Sequence, residues 1–271
     1  MKREAFIIKK PAIITKPLLV SVPHSGVYFP EEIIPAFNPK YIKHPEDTDW
    51  FVDQLYDFCT EMGIVMIRAP YSRYVIDLNR DIENEKLYSD KRSQTSLVPL
   101  KSFKQESLYN QNMEPDQSEI NRRIDLYYKP YYKQVDSLLL ELKNQFTHAL
   151  LFDCHSIGRN VPSIQKEDFP DLILGNNDKT SAHESIISIA MAVLNASDYS
   201  VKHNEPFKGG QITRNFGQPS KGIHALQLEM SQDVYMNTEK NEYSYKIKPM
   251  IRPVLKELFE QLCKEMGKLS S

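Results

Sequence analysis

The amino-acid sequence predicts an α/β fold: a mixed, mainly parallel β-sheet with helices on both faces. Two observations carry that prediction. Short runs rich in Val, Ile and Leu, without polar alternation, recur along the chain, as strands buried on both faces do. Between several of them lie stretches with apolar residues at helical spacing, and strands that alternate with helices build parallel sheets. With 271 residues, no repeat and no low-complexity linker, residues 1–271 read as one domain with a sizeable core.

Strands are expected at 18–22, 64–67, 74–78, 149–152, 172–174 and 225–228. Asp116 followed by Glu119 has the form of a capping box, and Ile120, Ile124, Tyr127, Tyr131, Val135, Leu138 and Leu142 then recur at helical spacing. Pro130 should kink or split that helix, because it lacks the N–H and crowds the preceding turn. Two further helices are expected at 181–194 and 247–266, the second interrupted by Pro249 and Pro253. Residues 88–117 are polar and aperiodic, long for a connection, and read as a flap over a site.

Composition removes several function classes. The 34 basic residues nearly balance the 36 acidic ones, so no field of one sign gathers nucleic acid or an anionic membrane. A small anionic substrate in a locally positive pocket stays open. Cys59, Cys154 and Cys263 are odd in number and far apart, which implies no disulfide framework. No signal-peptide run and no apolar stretch of membrane-spanning length occurs, so a soluble cytoplasmic protein is expected. Nothing in the sequence speaks to the oligomeric state.

In open α/β sheets ligands bind beyond the carboxyl ends of the strands. The run 18–22 leads into Pro23-His24-Ser25-Gly26, and 74–78 contains Asp77 and leads into Asn79-Arg80-Asp81. The run 149–152 leads into Asp153-Cys154-His155-Ser156, 172–174 into Gly175-Asn176-Asn177-Asp178, and 225–228 into Glu229. Five strand ends thus send His, Asn, Arg, Asp and Glu toward one rim. Metal-assisted hydrolysis suits such a set. Zinc takes imidazole nitrogen and carboxylate oxygen, with three protein ligands and one water in a catalytic site. His24 and His155 supply the imidazoles for one zinc per chain, and Asp47 or Asp49 the carboxylate. Glu229 is placed to take the proton of the water. Arg73, Arg80 and Arg214 offer planar forks for substrate carboxylates.

Taken singly, each residue has a plainer reading. His24 would pass for a hydrogen-bonded core histidine, Glu229 for an ion-pair partner, Asp49 for a helix cap and Gly209-Gly210 for a tight turn. Asp77 would orient Arg73 or Arg80. A Cys154 nucleophile beside His155 is disfavoured, because neighbours on a strand point to opposite faces.

The segments Ser21-Val22-Pro23-His24-Ser25-Gly26, Asp47-Thr48-Asp49 and Ser72-Arg73-Tyr74-Val75-Ile76-Asp77-Leu78-Asn79-Arg80 resemble the N-formylglutamate amidohydrolases. So do Asp153-Cys154-His155-Ser156, Pro206-Phe207-Lys208-Gly209-Gly210 through Arg214, and His224-Ala225-Leu226-Gln227-Leu228-Glu229, all in the family's order. The resemblance implies a zinc-carboxypeptidase and aspartoacylase-like α/β fold. It implies hydrolysis of N-formyl-L-glutamate to glutamate and formate, the last step of one route of histidine breakdown. By position, His24, Asp49 and His155 match the metal site, with Asp47 in reserve. Glu229 matches the catalytic carboxylate, and Asn79-Arg80 the pair that holds a substrate carboxylate. The chain departs from the wider pattern in two places. Val27 stands where His-x-x-Glu would carry its Glu, and Pro130-Tyr131-Tyr132 replaces a Pro-Tyr-His block. If that His binds substrate, Tyr132 marks altered specificity. The competing reading is the same chemistry on another N-acyl amino acid.

Overall fold

Seven strands form one sheet in the order β1-β3-β2-β4-β7-β5-β6. They are β1 (Ile7–Lys9), β2 (Leu18–Val22), β3 (Val65–Arg68), β4 (Ala149–Ile157), β5 (Leu172–Gly175), β6 (Val201–His203) and β7 (Ile223–Ser231). The computed structural model describes residues 3–83, 85, 87, 94–244 and 248–269. The pairs β2/β3, β2/β4, β4/β7 and β5/β6 are parallel, whereas β1/β3 and β5/β7 are antiparallel. The sheet is therefore mixed and mainly parallel, as its apolar runs predict.

The absence of polar alternation has its cause in two separate cores, one on each face. Leu18, Val20, Val22, Leu150, Phe152, Cys154, Leu226 and Leu228 point to one side. Leu19, Leu151 and Ala225 point to the other. The helices are α1 (Pro39–Lys43), α2 (Val52–Leu55), α3 (Gln117–Arg123), α4 (Lys129–Phe146), α5 (Glu184–Asn195), α6 (Gln211–Phe216) and α7 (Lys248–Leu269). Residues of α2, α5 and α7 fill the first core, and residues of α4 and α6 the second. A small hairpin, β8 (Met236–Asn237) and β9 (Glu242–Tyr243), follows β7. Among the described residues no helix is long and apolar enough to cross a membrane.

Several local expectations change. Asp116 does cap α3, its carboxylate accepting from Glu119 N–H at 2.8 Å, but Glu119 turns to Arg122 and Arg123 instead of closing a capping box. Pro130 does not end the long helix: it is the second residue of α4, which runs on to Phe146. A π-turn at Ile124–Tyr128 joins α3 to α4 immediately before it, and such a one-turn bulge accommodates a ring that an α-turn would reject. In α7 the helix runs through Pro253, which is exposed, so the missing hydrogen bond falls on the water-facing side. Ile247 lies outside the described residues.

Residues 74–78 are not a strand. Tight turns fold them, with Val75 N–H bonded to Ser72 O at 2.9 Å, Asn79 N–H to Asp77 Oδ1 at 2.9 Å and Arg80 N–H to Asp77 O at 3.2 Å. Tyr74, Val75, Ile76 and Leu78 are apolar because this loop is buried against the second core, not because it pairs. The strands β1 and β6 lie at the sheet's two edges, and each is three residues long and only partly buried, so neither leaves an apolar run.

Candidate active site

The loop after β2 carries His24. Asp49 N–H bonds to His24 O at 3.1 Å, which docks the 47–50 segment beside it. Gly26 lies so close to the backbone of Pro70 and Tyr71 that a Cβ would overlap them. His155 sits inside β4, and its register partner on β7 is Glu229.

His24, Asp49 and His155 converge with their ligand atoms all within 4.8 Å of one another. His155 Nδ1 lies 3.0 Å from Asp49 Oδ2, and His24 Nδ1 3.7 Å from the same oxygen. A tetrahedral zinc with ordinary bond lengths separates its ligand atoms by about 3.3 Å, so both spacings suit one ion. His24 Nδ1 is buried with no hydrogen-bond partner, as a metal-binding nitrogen would be. The far nitrogens are held by carboxylates. His24 Nε2 donates to Asp77 Oδ1 at 2.8 Å, and His155 Nε2 donates to Asp153 Oδ2 at 2.8 Å. Carboxylates only accept, which leaves each Nδ1 facing Asp49. Asp77 is fixed in turn by Arg73 at 2.7 Å, and Asp153 by Ser21 Oγ at 2.8 Å.

Charge points the same way. Four carboxyl groups (Asp49, Asp77, Asp153 and Glu229) face two guanidinium groups (Arg73 and Arg80), a surplus that a divalent ion would balance. Without an ion, the cluster balances itself with protons. Burial pulls the His155 imidazole down, but Asp153 and Asp49 outweigh it and hold its pKa well above the ordinary value. Burial lifts Glu229 to about 8, the His155 charge opposing and Asp49 assisting. His24 is lowered, by burial first and Arg73 second, against the pull of Asp77 and Asp49, which keeps its Nδ1 lone pair free of a proton.

The structure separates the remaining expected residues. Asp47 stays outside the cluster, its Oδ2 accepting from Phe103 N–H at 2.8 Å. Burial, against the pull of Arg73, raises its carboxyl to about 6. Arg73 lines the pocket but is engaged by Asp77 and, at 3.5 Å, by Asp49. Arg80 lines it too, with Nε on Thr95 O at 3.0 Å and Nη1 on Asn79 O at 3.1 Å. The Asn79 amide is a hub: its oxygen accepts from Ile212 N–H at 2.9 Å, and its nitrogen donates to Gln227 Oε1 at 3.2 Å. Gly209 adopts φ +112°, and a Cβ on Gly210 would overlap the Asn79 amide, so this glycine pair makes both a turn and a close approach. Arg214, on α6, bonds through Nε to Gly209 O at 2.9 Å and is not among the described residues lining the pocket. Cys154 lies in the core on the opposite face from His155, its thiol pushed well up by burial. Tyr132 donates to Leu78 O at 2.8 Å and Tyr128 to Arg80 O at 2.9 Å, so the pair grips the backbone on either side of Asn79.

Sequence reasoning gave no role to Asp153 or Gln227. Each stands two residues before a singled-out residue on the same strand face, Asp153 before His155 and Gln227 before Glu229, and that spacing is the signal. The pocket is small, with a cavity volume of about 70 Å³. Gln94 and Phe103 from the expected flap border it, as does Leu87 just before that segment, while 88–93 lie outside the described residues.

Fold and site together define an α/β protein whose parallel strands end in a carboxylate-braced His-Asp-His cluster. The family profile of the N-formylglutamate amidohydrolases matches residues 16–236, and the chain belongs to that family. It is 38% identical to the N-formylglutamate deformylase of Pseudomonas aeruginosa over 252 residues, 91% of this chain and 92% of that one. It is 36% identical to the N-formylglutamate deformylase of Pseudomonas putida over 248 residues, again 91% and 92%. Its fold is that of the crystallised N-formylglutamate amidohydrolase of Ralstonia eutropha JMP134, with a TM-score of 0.80 at 21% identity over 97% of each chain.

Proposed function

We propose that the protein hydrolyses the amide bond of N-formyl-L-glutamate to L-glutamate and formate, using one zinc held by His24, Asp49 and His155. The observation that carries this reading is the pairing of His155 with Glu229 across β4 and β7, which sets a proton-accepting carboxyl beside a three-ligand cluster in a member of this family. A zinc bound there supplies a Lewis acid and lowers the pKa of water. Glu229 takes the proton of the attacking water and returns it to the leaving amine nitrogen. Arg80 grips a substrate carboxylate as a fork, while Asn79, fixed from three sides, holds the Arg80 backbone and the Gly210 approach in place. Arg214 or Arg73 meets the second carboxylate. Arg73 lines the pocket but is held by Asp77, whereas Arg214 is outside the described lining, so Arg214→Ala decides between them.

The experiment is formate release from N-formylglutamate and N-formylleucine by wild type and Arg214→Ala, with zinc content measured in parallel. The expectation is a strong wild-type preference for N-formylglutamate, reduced in the variant. Equal efficiency on both substrates in wild type would reject the dicarboxylate reading. Full activity in zinc-stripped protein would reject the metal.

A further inference from the structure

Two cavities meet at the site, and three residues make the wall between them. The pocket at the His-Asp-His cluster and a larger cavity, about 730 Å³ against about 70 Å³, share Phe103, Ser156 and Ile157 as lining. Ser156 and Ile157 end β4 directly after His155, and Ser156 N–H bonds Asp49 at 3.2 Å, so the wall stands next to the proposed ligands. Both are fixed, Ser156 Oγ by the Tyr235 hydroxyl at 2.7 Å and Ile157 by packing with Phe169 and Ile173. Phe103 differs in being a loop residue. Its N–H donates to Asp47 at 2.8 Å, and its carbonyl accepts from Ser163 Oγ at 2.6 Å. Its ring packs over the Arg73 guanidinium, 4.9 Å from Cζ to centroid, and Arg73 in turn lies 3.5 Å from Asp49. Beyond it the larger cavity offers apolar surface from Trp50, Val161 and Met236. A formyl group, with no carbon past its carbonyl, has no use for that surface.

We infer that Phe103 is the specificity-determining residue that restricts the acyl group to formyl, by walling off a cavity able to receive an acyl chain of two to four carbons. This rests on the N-formylglutamate reading above. The chemistry is unchanged for a longer acyl group. Water adds its oxygen to the acyl carbon, the C–N bond breaks, the amine nitrogen takes the proton, and the products are glutamate and a short carboxylate.

The test compares kcat/KM for N-formyl-, N-acetyl- and N-butyryl-L-glutamate in wild type, Phe103→Ala, Phe103→Leu and the double variant Phe103→Ala/Val161→Trp. The butyryl-to-formyl ratio should rise in Phe103→Ala by at least about 10- to 200-fold, the range that a single methylene is worth in an apolar pocket. Phe103→Leu should fall between, and Val161→Trp, which refills the larger cavity, should remove the gain. An unchanged ratio in both single variants overturns the inference, and so does a gain that survives Val161→Trp. Should Phe103→Ala lack a cooperative thermal transition, Phe103→Leu with and without Val161→Trp makes the same comparison. A wild type that releases no formate from N-formylglutamate overturns the functional reading and this inference with it. A ratio that stays put in a protein that does deformylate overturns this inference alone.

Discussion

Asp153→Asn isolates the bracing of His155 from everything else in the site. The replacement keeps the shape, and its amide oxygen still accepts from His155 Nε2 while its nitrogen meets Ser21 Oγ, so the geometry survives and only the charge is lost. Asp153 is fully buried and 2.8 Å from the ring, so that charge acts on the imidazole with little screening by solvent. Loss of a ligand-orienting carboxylate typically weakens metal binding 10- to 100-fold, or about 1.4 to 2.8 kcal/mol. A second effect opposes the first. Asp153 also helps to hold the His155 pKa well above its ordinary value, so wild type must shed a proton to bind zinc and the variant sheds it more easily. The penalty should therefore be larger at pH 8.5 than at pH 6.5. Zinc competition against a chromophoric chelator at both pH values measures it. Affinity within twofold of wild type at both would refute the bracing role of Asp153.

Glu229→Gln should lower turnover by about 10² to 10⁴ with zinc retained, read by steady-state rates and metal analysis. Zinc uptake by wild type near pH 7 should release about two protons, from His155 and Glu229, measurable by calorimetry in buffers of different ionisation enthalpy. Release of none would contradict the charge balance described above. Tyr132→Phe leaves Leu78 O without its donor, a cost of about 1 to 3 kcal/mol, and should raise KM more than it lowers kcat because it loosens Asn79-Arg80. An unchanged KM would show the tyrosine grip to be irrelevant to the site. His224, buried and flanked by His148 and His183, is lowered to about 4, by burial first. The unfolded chain therefore binds that proton more readily between about 4 and 6.5, and stability falls as pH drops through this window. His224→Gln should flatten the fall in urea midpoint between pH 7 and 5, and a slope equal to wild type would count against it.

Local features were legible where one physical cause dominated. Leu18–Val22 is found as expected because all five residues are buried, so its sequence carries nothing but strand. Residues 74–78 look identical in composition, yet their backbone bonds go to turns, and burial without pairing has no separate signature. As residues, Asp47 and Asp49 are alike in the sequence, and only the family resemblance prefers Asp49. The long-range bond from Asp49 N–H to His24 O brings Asp49 beside the histidines, and Asp47 stays outside the cluster. Asp153 was hidden because the eye follows the strand's end, whereas its role depends on sharing a face with His155. The path through Pro130 was illegible because a π-turn is fixed by tertiary contacts, here the tyrosine bonds to Leu78 and Arg80, not by local preference.

The position of β7 sets a timetable for the chain as it is synthesised. His24, Asp49 and His155, with the braces Asp77 and Asp153, all precede the end of β4. Glu229 and Gln227 ride on β7, which lies between β4 and β5 in the finished sheet. At about 5 to 20 residues per second, Glu229, the proposed base, leaves the ribosome several seconds after His155, the last of the proposed ligands. One late event, the insertion of β7 beside β4, therefore joins the two parts of the sheet and brings Glu229 beside His155. On the proposed mechanism, turnover therefore waits for completion of the fold.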